Sequence, residues 1–133
     1  MAKKKIQVLI VEPMEKPRLA TVDHKLEEFQ KIVDGYIQAV YPFNDEAALI
    51  CNEESKLNGK QLNRLVFNSD GRHYDVICGT FFICGLGYED FTSLTDDQAK
   101  KYSEMCCEPE FFLPTTDRHL VMIKANCNPV IVH

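Results

Sequence analysis

The sequence predicts an α+β protein, with an N-terminal β-hairpin, one amphipathic helix packed on a mixed, mainly antiparallel sheet, and a second helix near the C-terminus. Three observations predict this class. Short β-branched runs alternate with turn residues, two segments carry apolar residues at helical spacing, and the predicted order β-β-α-β-β differs from the regular alternation of parallel α/β proteins. With 133 residues, 45% hydrophobic and 26% charged, the chain is predicted to form a single domain over 1–133.

The first two strands are predicted to form the hairpin. Lys5 to Glu12 (KIQVLIVE) is short and β-branched, a turn follows from Pro13 to Pro17, and Arg18 to Val22 alternates as a second strand. The next segment, HKLEEFQKIVD, is predicted as a helix with Asp23 as its N-cap and Gly35 as its left-handed stop. Its apolar stripe consists of Leu26, Phe29, Ile32 and Val33.

The middle of the chain is predicted to contain further strands separated by turns. Tyr36 to Phe43 and Ala47 to Cys51 form two of them, joined by a turn from Pro42 to Glu46. Gln61 to Phe67 is predicted as a short strand or a helical turn. A second strong turn signal follows at Asn68–Gly71 (NSDG).

A long apolar run then predicts the centre of the sheet. Tyr74 to Leu86 (YDVICGTFFICGL) is interpreted as one buried central strand, in which Gly79 marks a bulge or a close backbone approach. The aromatic residues nearby are interpreted as core residues first and as platforms for stacking a base second. They are Tyr36, Tyr41, Phe43, Phe81 and Phe82.

The C-terminal part is predicted to contain the second helix and a second hairpin. Thr95 and Gln98 have the spacing of a capping box for the helical segment TDDQAKKYSEMC. Glu110 to Leu113 and Leu120 to Ala125 are predicted to pair about a turn at Thr115 to Asp117.

Charge and cysteine usage narrow the function classes. A formal charge of −5 argues against direct nucleic-acid or membrane binding, because both require a cationic surface. Of the six cysteines, four lie in apolar runs and are predicted to be buried free thiols: Cys51, Cys78, Cys84 and Cys127. This indicates a cytoplasmic protein, since the apolar run after MAKKK is too short for a signal peptide. The Cys and His spacings match no zinc motif, and we expect no metal and no cofactor.

One polar turn concentrates the candidate binding residues. In ICNEESKLNGKQLNRLVF, amides, carboxylates and cations lie between apolar runs. They could simply tie the turn to itself at the surface, or they could converge on a ligand, with amides contacting hydrogen-bonding edges and cations holding a phosphate. The candidate ligand-binding residues are Asn52, Glu53, Glu54, Lys56, Asn63, Arg64 and Thr80.

The sequence also allows two other chemistries. Catalysis would use Glu53 or Glu54 as a general base, with His73, next to Asp75, nearby. We do not expect the two glutamates to act as a pair, because neighbours on a strand point to opposite faces. We therefore expect no enzyme and assign no catalytic residue. Acidic pairs could instead mimic DNA phosphates if they align on one side. These pairs are Glu27–Glu28, Asp45–Glu46, Glu89–Asp90 and Asp96–Asp97.

The stretches IVDGYIQAVYPF, ICNEESKLNGKQLNR and DVICGTFFICG together resemble the domain-of-unknown-function family 3846, over about residues 4–91. The family pattern falls on Asn52, Glu53, Glu54, Lys56, Leu57, Gly59 and Asn63. Ser55 stands where the family commonly has Gly, and Gln61 where it commonly has Pro, so the turn geometry can differ. The resemblance implies a small accessory protein of phages or conjugative elements, a class that frequently counters host defence.

Together these observations predict a non-enzymatic counter-defence protein. The expected partner is a small nucleotide-type immune signal, which the protein binds and sequesters as a sponge, in a homo-oligomer in the host bacterial cytoplasm. One alternative is an acidic protein–protein inhibitor that mimics DNA and binds a host defence protein or nuclease. A small hydrolase is the third hypothesis.

Overall fold

The computed structural model describes residues 4–68, 71 and 74–132. Within them lie eleven strands and two helices, in this chain order: β1 (Lys5–Val11), β2 (Arg18–Asp23), α1 (Leu26–Val33), β3 (Ile37–Val40), β4 (Ala47–Asn52), β5 (Leu62–Phe67), β6 (Tyr74–Cys78), β7 (Phe81–Leu86), β8 (Phe91–Thr92), α2 (Asp96–Met105), β9 (Phe111–Pro114), β10 (Leu120–Ile123) and β11 (Val130–Val132). The α+β class is confirmed. Residues 69, 70 and 73 of the predicted turns and sites lie outside the described residues.

A six-stranded sheet forms the middle layer of the fold. Its order is β2-β1-β7-β4-β3, with the short β8 also pairing with β7, and these strands are antiparallel. The N-terminal hairpin is confirmed by the register of β1 and β2, which runs from Lys5 opposite Asp23 to Ile10 opposite Arg18. Strands β7 and β4 are central and fully apolar over most of their length, because helices and strands cover both faces of the sheet.

Helix α1 covers one face of this sheet with Phe29 and Val33. Its predicted N-cap is wrong: Lys25 occupies that position, without a side-chain hydrogen bond. Asp23 instead ends β2, where its backbone pairs with Lys5 and its carboxylate lies 3.1 Å from the Lys5 ammonium. Ladder pairing thus extends the strand to include the residue that local sequence favours as a cap.

The C-terminus of α1 also differs from the prediction. Asp34, and not Gly35, adopts the left-handed conformation, with φ 58° and ψ 54°. Gly35 follows with φ 151°, and a Cβ built there would lie 2.4 Å from Nδ2 of Asn52. Glycine is therefore required at 35 by the close approach of Asn52 as well as by its backbone angle.

Helix α2 covers the opposite face of the sheet. The capping box is confirmed: the Thr95 hydroxyl accepts from Gln98 N at 3.1 Å, and Gln98 Oε1 accepts from Thr95 N at 3.0 Å. The buried ring of Tyr102 packs beside Phe43, and its hydroxyl donates to Asp45 at 2.7 Å. This bond and burial raise the pKa of Tyr102, while the same bond lowers the pKa of Asp45.

The predicted single strand Tyr74–Leu86 is wrong, because the chain turns at Gly79. Gly79 has φ 73° and its N–H donates to the Gln61 carbonyl at 2.7 Å. The residues before it form β6 and those after it form β7, in different sheets. Strands β5 and β6 pair as a two-stranded ribbon, so the strand alternative for Gln61–Phe67 is confirmed.

The chain ends in a third, three-stranded sheet of order β11-β10-β9. The predicted hairpin is confirmed by the pairing of Leu120 with Pro114 through Ile123 with Phe111. Strand β11 was not predicted. The sheet packs on the ribbon through a small apolar cluster centred on Leu65, Val76 and Met122. Neither described helix is long and apolar enough to cross a membrane.

Candidate functional site

A cleft opens between the edge of the six-stranded sheet, at β3 and β4, and the β5–β6 ribbon. It consists of two adjoining cavities of about 440 Å³ and about 120 Å³, which share Gln38, Cys51, Asp75 and Ile77. We call this region the ribbon cleft. The larger cavity is within the roughly 300–1,000 Å³ range of small-molecule sites.

The larger cavity has an apolar floor and a polar rim. Its floor is formed by Leu49, Cys51, Val66 and Ile77, and its remaining lining residues are Gln38, Val40, Tyr41, Pro42, Asn68 and Asp75. Tyr41 is 61% exposed, so most of its surface is accessible at the mouth of the cleft. A planar apolar group with hydrogen-bonding edges fits this combination.

The smaller cavity is formed by the polar turn itself. Asn52, Glu53, Glu54 and Lys56 line it, opposite Asp75 of β6. The Lys56 ammonium makes an exposed ion pair with the Asp75 carboxylate and thereby bridges the turn and the ribbon. The structure thus brings four of the seven predicted site residues together at one end of the cleft.

Asn52 serves mainly to terminate α1. Its Nδ2 donates to the carbonyl oxygens of Val33, at 3.2 Å, and Asp34, at 2.8 Å, while its Oδ1 accepts from Glu54 N at 2.7 Å. These carbonyls have no partner within the helix, and the amide satisfies them. The side chain is 3% exposed, so its hydrogen-bonding groups are already used inside the protein.

Asn63 is likewise committed to the fold. Its Nδ2 donates to the carbonyl oxygens of Val11, at 2.9 Å, and Gly79, at 2.8 Å. Its Oδ1 accepts from Arg64 at 2.8 Å. A fully buried amide thereby links β1, β5 and the turn between β6 and β7.

Arg64 is buried at the C-terminal end of α2. Its guanidinium donates to the carbonyl oxygens of Cys106, at 3.1 Å, and Glu15, at 2.7 Å, in addition to its bonds to Asn63. A cation at this end of a helix is stabilised by the partial negative charge of the terminal carbonyls. Burial lowers the pKa of Arg64, and the group nevertheless remains charged.

Three further predicted positions, Glu53 and Glu54 of the smaller cavity and Thr80, lie at or near the protein surface. Glu53 and Glu54 are exposed, and the Glu53 N–H donates to the Tyr36 carbonyl at 2.9 Å. Thr80 is half-buried in the turn that joins β6 to β7. The catalytic alternative depended on His73, which lies outside the described residues.

Cys51 is the thiol that faces the ribbon cleft. Burial raises its pKa to about 11, with a further contribution from the Asp75 charge. Its sulfur lies 3.7 Å from the Gln38 carbonyl, toward which the thiol donates. A thiol with such a pKa stays protonated near neutral pH and is a poor nucleophile.

Of the cysteines predicted to be buried, Cys51, Cys78 and Cys84 are buried, and Cys127 is exposed. Within the described residues, no group of three or more His, Cys, Asp or Glu side chains is arranged to hold a metal ion.

The acidic pairs do not share one side of the molecule. Glu27 and Glu28 lie on α1 and Asp96 and Asp97 on α2, and the two helices cover opposite faces of the sheet. Asp45 is further engaged by Tyr102 and by Lys101, at 3.9 Å. The pairs on the two helices therefore do not form one row of carboxylates that would resemble a DNA strand.

The sequence does not indicate that Gln38 and Tyr41 line the ribbon cleft. Gln38 was not singled out, because a lone glutamine in a predicted strand carries no motif. Tyr41 was interpreted as core first, as was Tyr36, yet both are exposed, whereas Phe81 and Phe82 are fully buried as expected. Proximity to an edge strand decides between these outcomes, and the sequence does not indicate which strand is at the edge.

The model of one protein family, described as "Domain of unknown function (DUF3846)", matches residues 6–107. The match covers the six-stranded sheet, both helices and the ribbon that forms the cleft. The comparisons with curated proteins and with solved structures returned no match.

Proposed function

The chain belongs to the DUF3846 family, and we propose that it binds a small nucleotide-derived ligand in the ribbon cleft and releases it unchanged. The observation that carries this proposal is the lining of the cleft. An apolar floor, an exposed tyrosine ring, polar side chains at the rim and one cation occur within a single concave surface. Nucleotides combine the same elements, namely a planar base, polar edges and a phosphate.

The base is assigned to the larger cavity. Leu49, Val66 and Ile77 provide an apolar surface against which it packs, and the Tyr41 ring provides a face for stacking. Gln38 offers both donors and an acceptor to the base edge, and Asp75 offers acceptors. Stacking on one aromatic ring contributes roughly 1–3 kcal/mol.

The anionic part is assigned to Lys56. Its ammonium is the cation of the polar turn that is exposed in the cleft, since Arg64 is buried at the end of α2. A phosphate placed between the turn and the ribbon would share the Lys56 ammonium with Asp75 or replace that carboxylate. A single lysine acts as a point charge and not as a bidentate clamp, so the ligand carries few phosphates.

Sequestration rather than turnover is supported by the state of the cleft's thiol. Cys51 remains protonated near neutral pH, because burial raises its pKa to about 11. We propose that the protein acts as a sponge for a nucleotide immune signal, in the bacterial cytoplasm, on behalf of a phage or mobile element. The resemblance to accessory proteins of such elements motivates this biological role.

The first test incubates the protein with a panel of cyclic nucleotides and ADP-ribose derivatives, followed by removal of unbound ligand and release by heat. We expect mass spectrometry to recover one class of ligand intact. An altered ligand indicates an enzyme. A complete absence of bound ligand contradicts the proposal.

The second test assigns binding to the cleft. Tyr41→Ala should weaken binding of the ligand recovered in the first test about 10-fold or more, because the variant lacks one stacking contact. Tyr88→Ala removes a fully exposed tyrosine from the turn between β7 and β8 and is the matched control. Lys56→Ala is paired in the same way with Lys100→Ala on α2. Equal affinities for each variant and its control would place the ligand elsewhere.

A further inference from the structure

The C-terminal sheet is apolar on both of its faces. Every residue of its three strands is apolar: FFLP in β9, LVMI in β10 and VIV in β11. Side chains of a strand alternate between the two faces, so such runs are typical of strands covered on both sides. The inner face meets this expectation, since Met122 is buried against Leu65 and Val76 of the ribbon.

The outer face is accessible to water in the isolated chain. The register places Val121 opposite both Leu113 and Ile131, and Ile123 opposite Phe111, so these five side chains lie on one surface. We call it the outer face. Leu113, Ile131, Phe111 and Ile123 are between 36% and 54% exposed, and Val121 at the centre is half-buried.

We propose that two copies of this chain associate through the outer face. The outer face is comparable in size to the largest apolar patch of a typical soluble monomer, and such patches are often interaction surfaces. Half-exposed side chains of this size contribute on the order of 100 Å² each, so the outer face offers roughly 400 Å² per copy, about half of a standard interface. A polar rim around this apolar core supplies the rest, as in homodimers.

The uncharged outer face lets a second copy dock with the least repulsion. Each chain carries a formal charge of −5, so two copies approach each other most favourably at a surface without carboxylates. The three strands contain no charged residue. A cationic partner, by contrast, would be recognised through exposed acidic groups, and the strands that form the outer face carry none.

The register also suits a two-fold contact. Leu113 and Ile131 flank Val121 in one row across the sheet. A two-fold axis parallel to β10 places Val121 opposite its own counterpart and Leu113 opposite Ile131 of the second copy. An isologous interface requires such self-complementarity, and the two flanking side chains are similar in size and chemistry. The outer face lies outside the family-matched residues 6–107, so the association is a property of this chain's C-terminal sheet.

The mass in solution tests the inference with the full chain. Sedimentation equilibrium should give twice the 15.3 kDa of one chain. The double variant Leu113→Lys, Ile131→Lys should raise the dissociation constant at least about 100-fold. The matched control, Leu26→Lys with Leu57→Lys, places the same charges on exposed leucines of α1 and the polar turn and should leave the dimer intact.

A cross-linking experiment avoids any dependence on variant stability. In a chain with the exposed Cys107 and Cys127 replaced by serine, Val121→Cys should be linked into a covalent dimer by a short bismaleimide reagent, which spans the distance of roughly 10 Å between sheets packed face to face, and Leu26→Cys should not. A wild-type chain that sediments as a monomer at all soluble concentrations overturns the proposal and leaves the outer face to a different partner. A dimer that resists the double variant and does not cross-link through Val121→Cys overturns it as well.

Discussion

The Arg64 guanidinium donates to the carbonyl oxygen of Cys106 at 3.1 Å, which places a charge from β5 at the end of α2. Asn52 has the same relation to α1, since its amide donates to the terminal carbonyl of Asp34 at 2.8 Å. Two polar side chains of the sheet and ribbon therefore terminate the two helices. Arg64 and Asn52, which are both candidate ligand-binding residues by sequence, therefore stabilise the fold by binding the ends of the helices.

Arg64→Ala should destabilise the protein by about 3 kcal/mol, because it leaves a cavity and removes donors from several buried carbonyls. The exposed Arg18, which pairs with Glu12 at 3.1 Å, provides the control: Arg18→Ala should cost less than about 1 kcal/mol. Urea unfolding measures both. A stable Arg64→Ala variant with impaired ligand binding would restore Arg64 as a ligand-binding residue.

Gly35→Ala should be more damaging than Gly59→Ala. Both glycines have positive φ, but a Cβ at 35 would lie 2.4 Å from Asn52 Nδ2, whereas one at 59 meets no atom within 4 Å. We expect a loss of about 1 kcal/mol at 59 and about 2–3 kcal/mol at 35. Thermal unfolding provides the comparison, and the difference between the two variants measures the contact with Asn52 together with the different backbone angle at 35, where φ is 151° against 69° at 59. Equal losses would show that the contact relaxes without cost.

Thiol titration should divide the six cysteines into two classes. Cys107 and Cys127 are exposed and should react with an aromatic disulfide reagent within minutes at slightly alkaline pH, while four buried thiols should react only after denaturation. Burial raises the pKa of Cys51 to about 11 and the pKa values of Cys84 and Cys106 to about 12. Rapid reaction of more than two thiols in the native protein, with Cys51 identified by mass spectrometry, would contradict the proposed inert cleft.

Ionisation of Glu110 should lower the free energy of unfolding as pH rises. Its carboxylate is 3% exposed, accepts from Leu65 N at 2.8 Å, and lies 3.8 Å from the Lys124 ammonium. Burial raises the pKa of Glu110 above its ordinary value of 4.5. The unfolded chain therefore loses this proton at lower pH than the folded chain, and the associated stability is complete below about pH 4.5 and is lost as pH rises through the folded value.

The comparison with Glu110→Gln checks this prediction. The glutamine keeps an acceptor for Leu65 N and cannot ionise, so the stability difference between variant and wild type should shift in favour of the variant as pH rises from 4 to 7. Glu108→Gln, at a half-buried position two residues earlier, is the control and should change this difference less. A constant difference across this range would mean that Glu110 titrates as an ordinary carboxyl.

Local patterns in the sequence predicted the elements that local interactions decide. The capping box at Thr95 and Gln98 lies within one helical turn, and the hairpin of β1 and β2 follows from two adjacent strands and a proline-containing turn. Where distant residues decide, prediction failed. Asp23 is a good cap by composition, but pairing with Lys5 keeps it in β2, and two short strands, β8 and β11, are too brief to give a periodic signal.

The candidate site illustrates the same limit. Asn52, Asn63 and Arg64 are predicted as site residues because polar residues between apolar runs often contact ligands. In the structure, most of their partners are carbonyl oxygens far away in the sequence, such as those of Val11 and Cys106. No local pattern distinguishes a side chain that holds a helix end from one that holds a ligand. The cleft itself arises only when β3 and the ribbon come together in space.

The inner face of the C-terminal sheet has a consequence for shortened forms of the protein. A chain that stops at residue 107 would retain every family-matched residue yet uncover Leu65 and Val76 on the back of the ribbon. One wall of the cleft would then be a two-stranded ribbon whose outer side is exposed to solvent, and such a ribbon is only marginally stable by itself. Trimming this protein to its shared region is therefore expected to yield insoluble material, because the last fifth of the polypeptide covers and supports the ribbon.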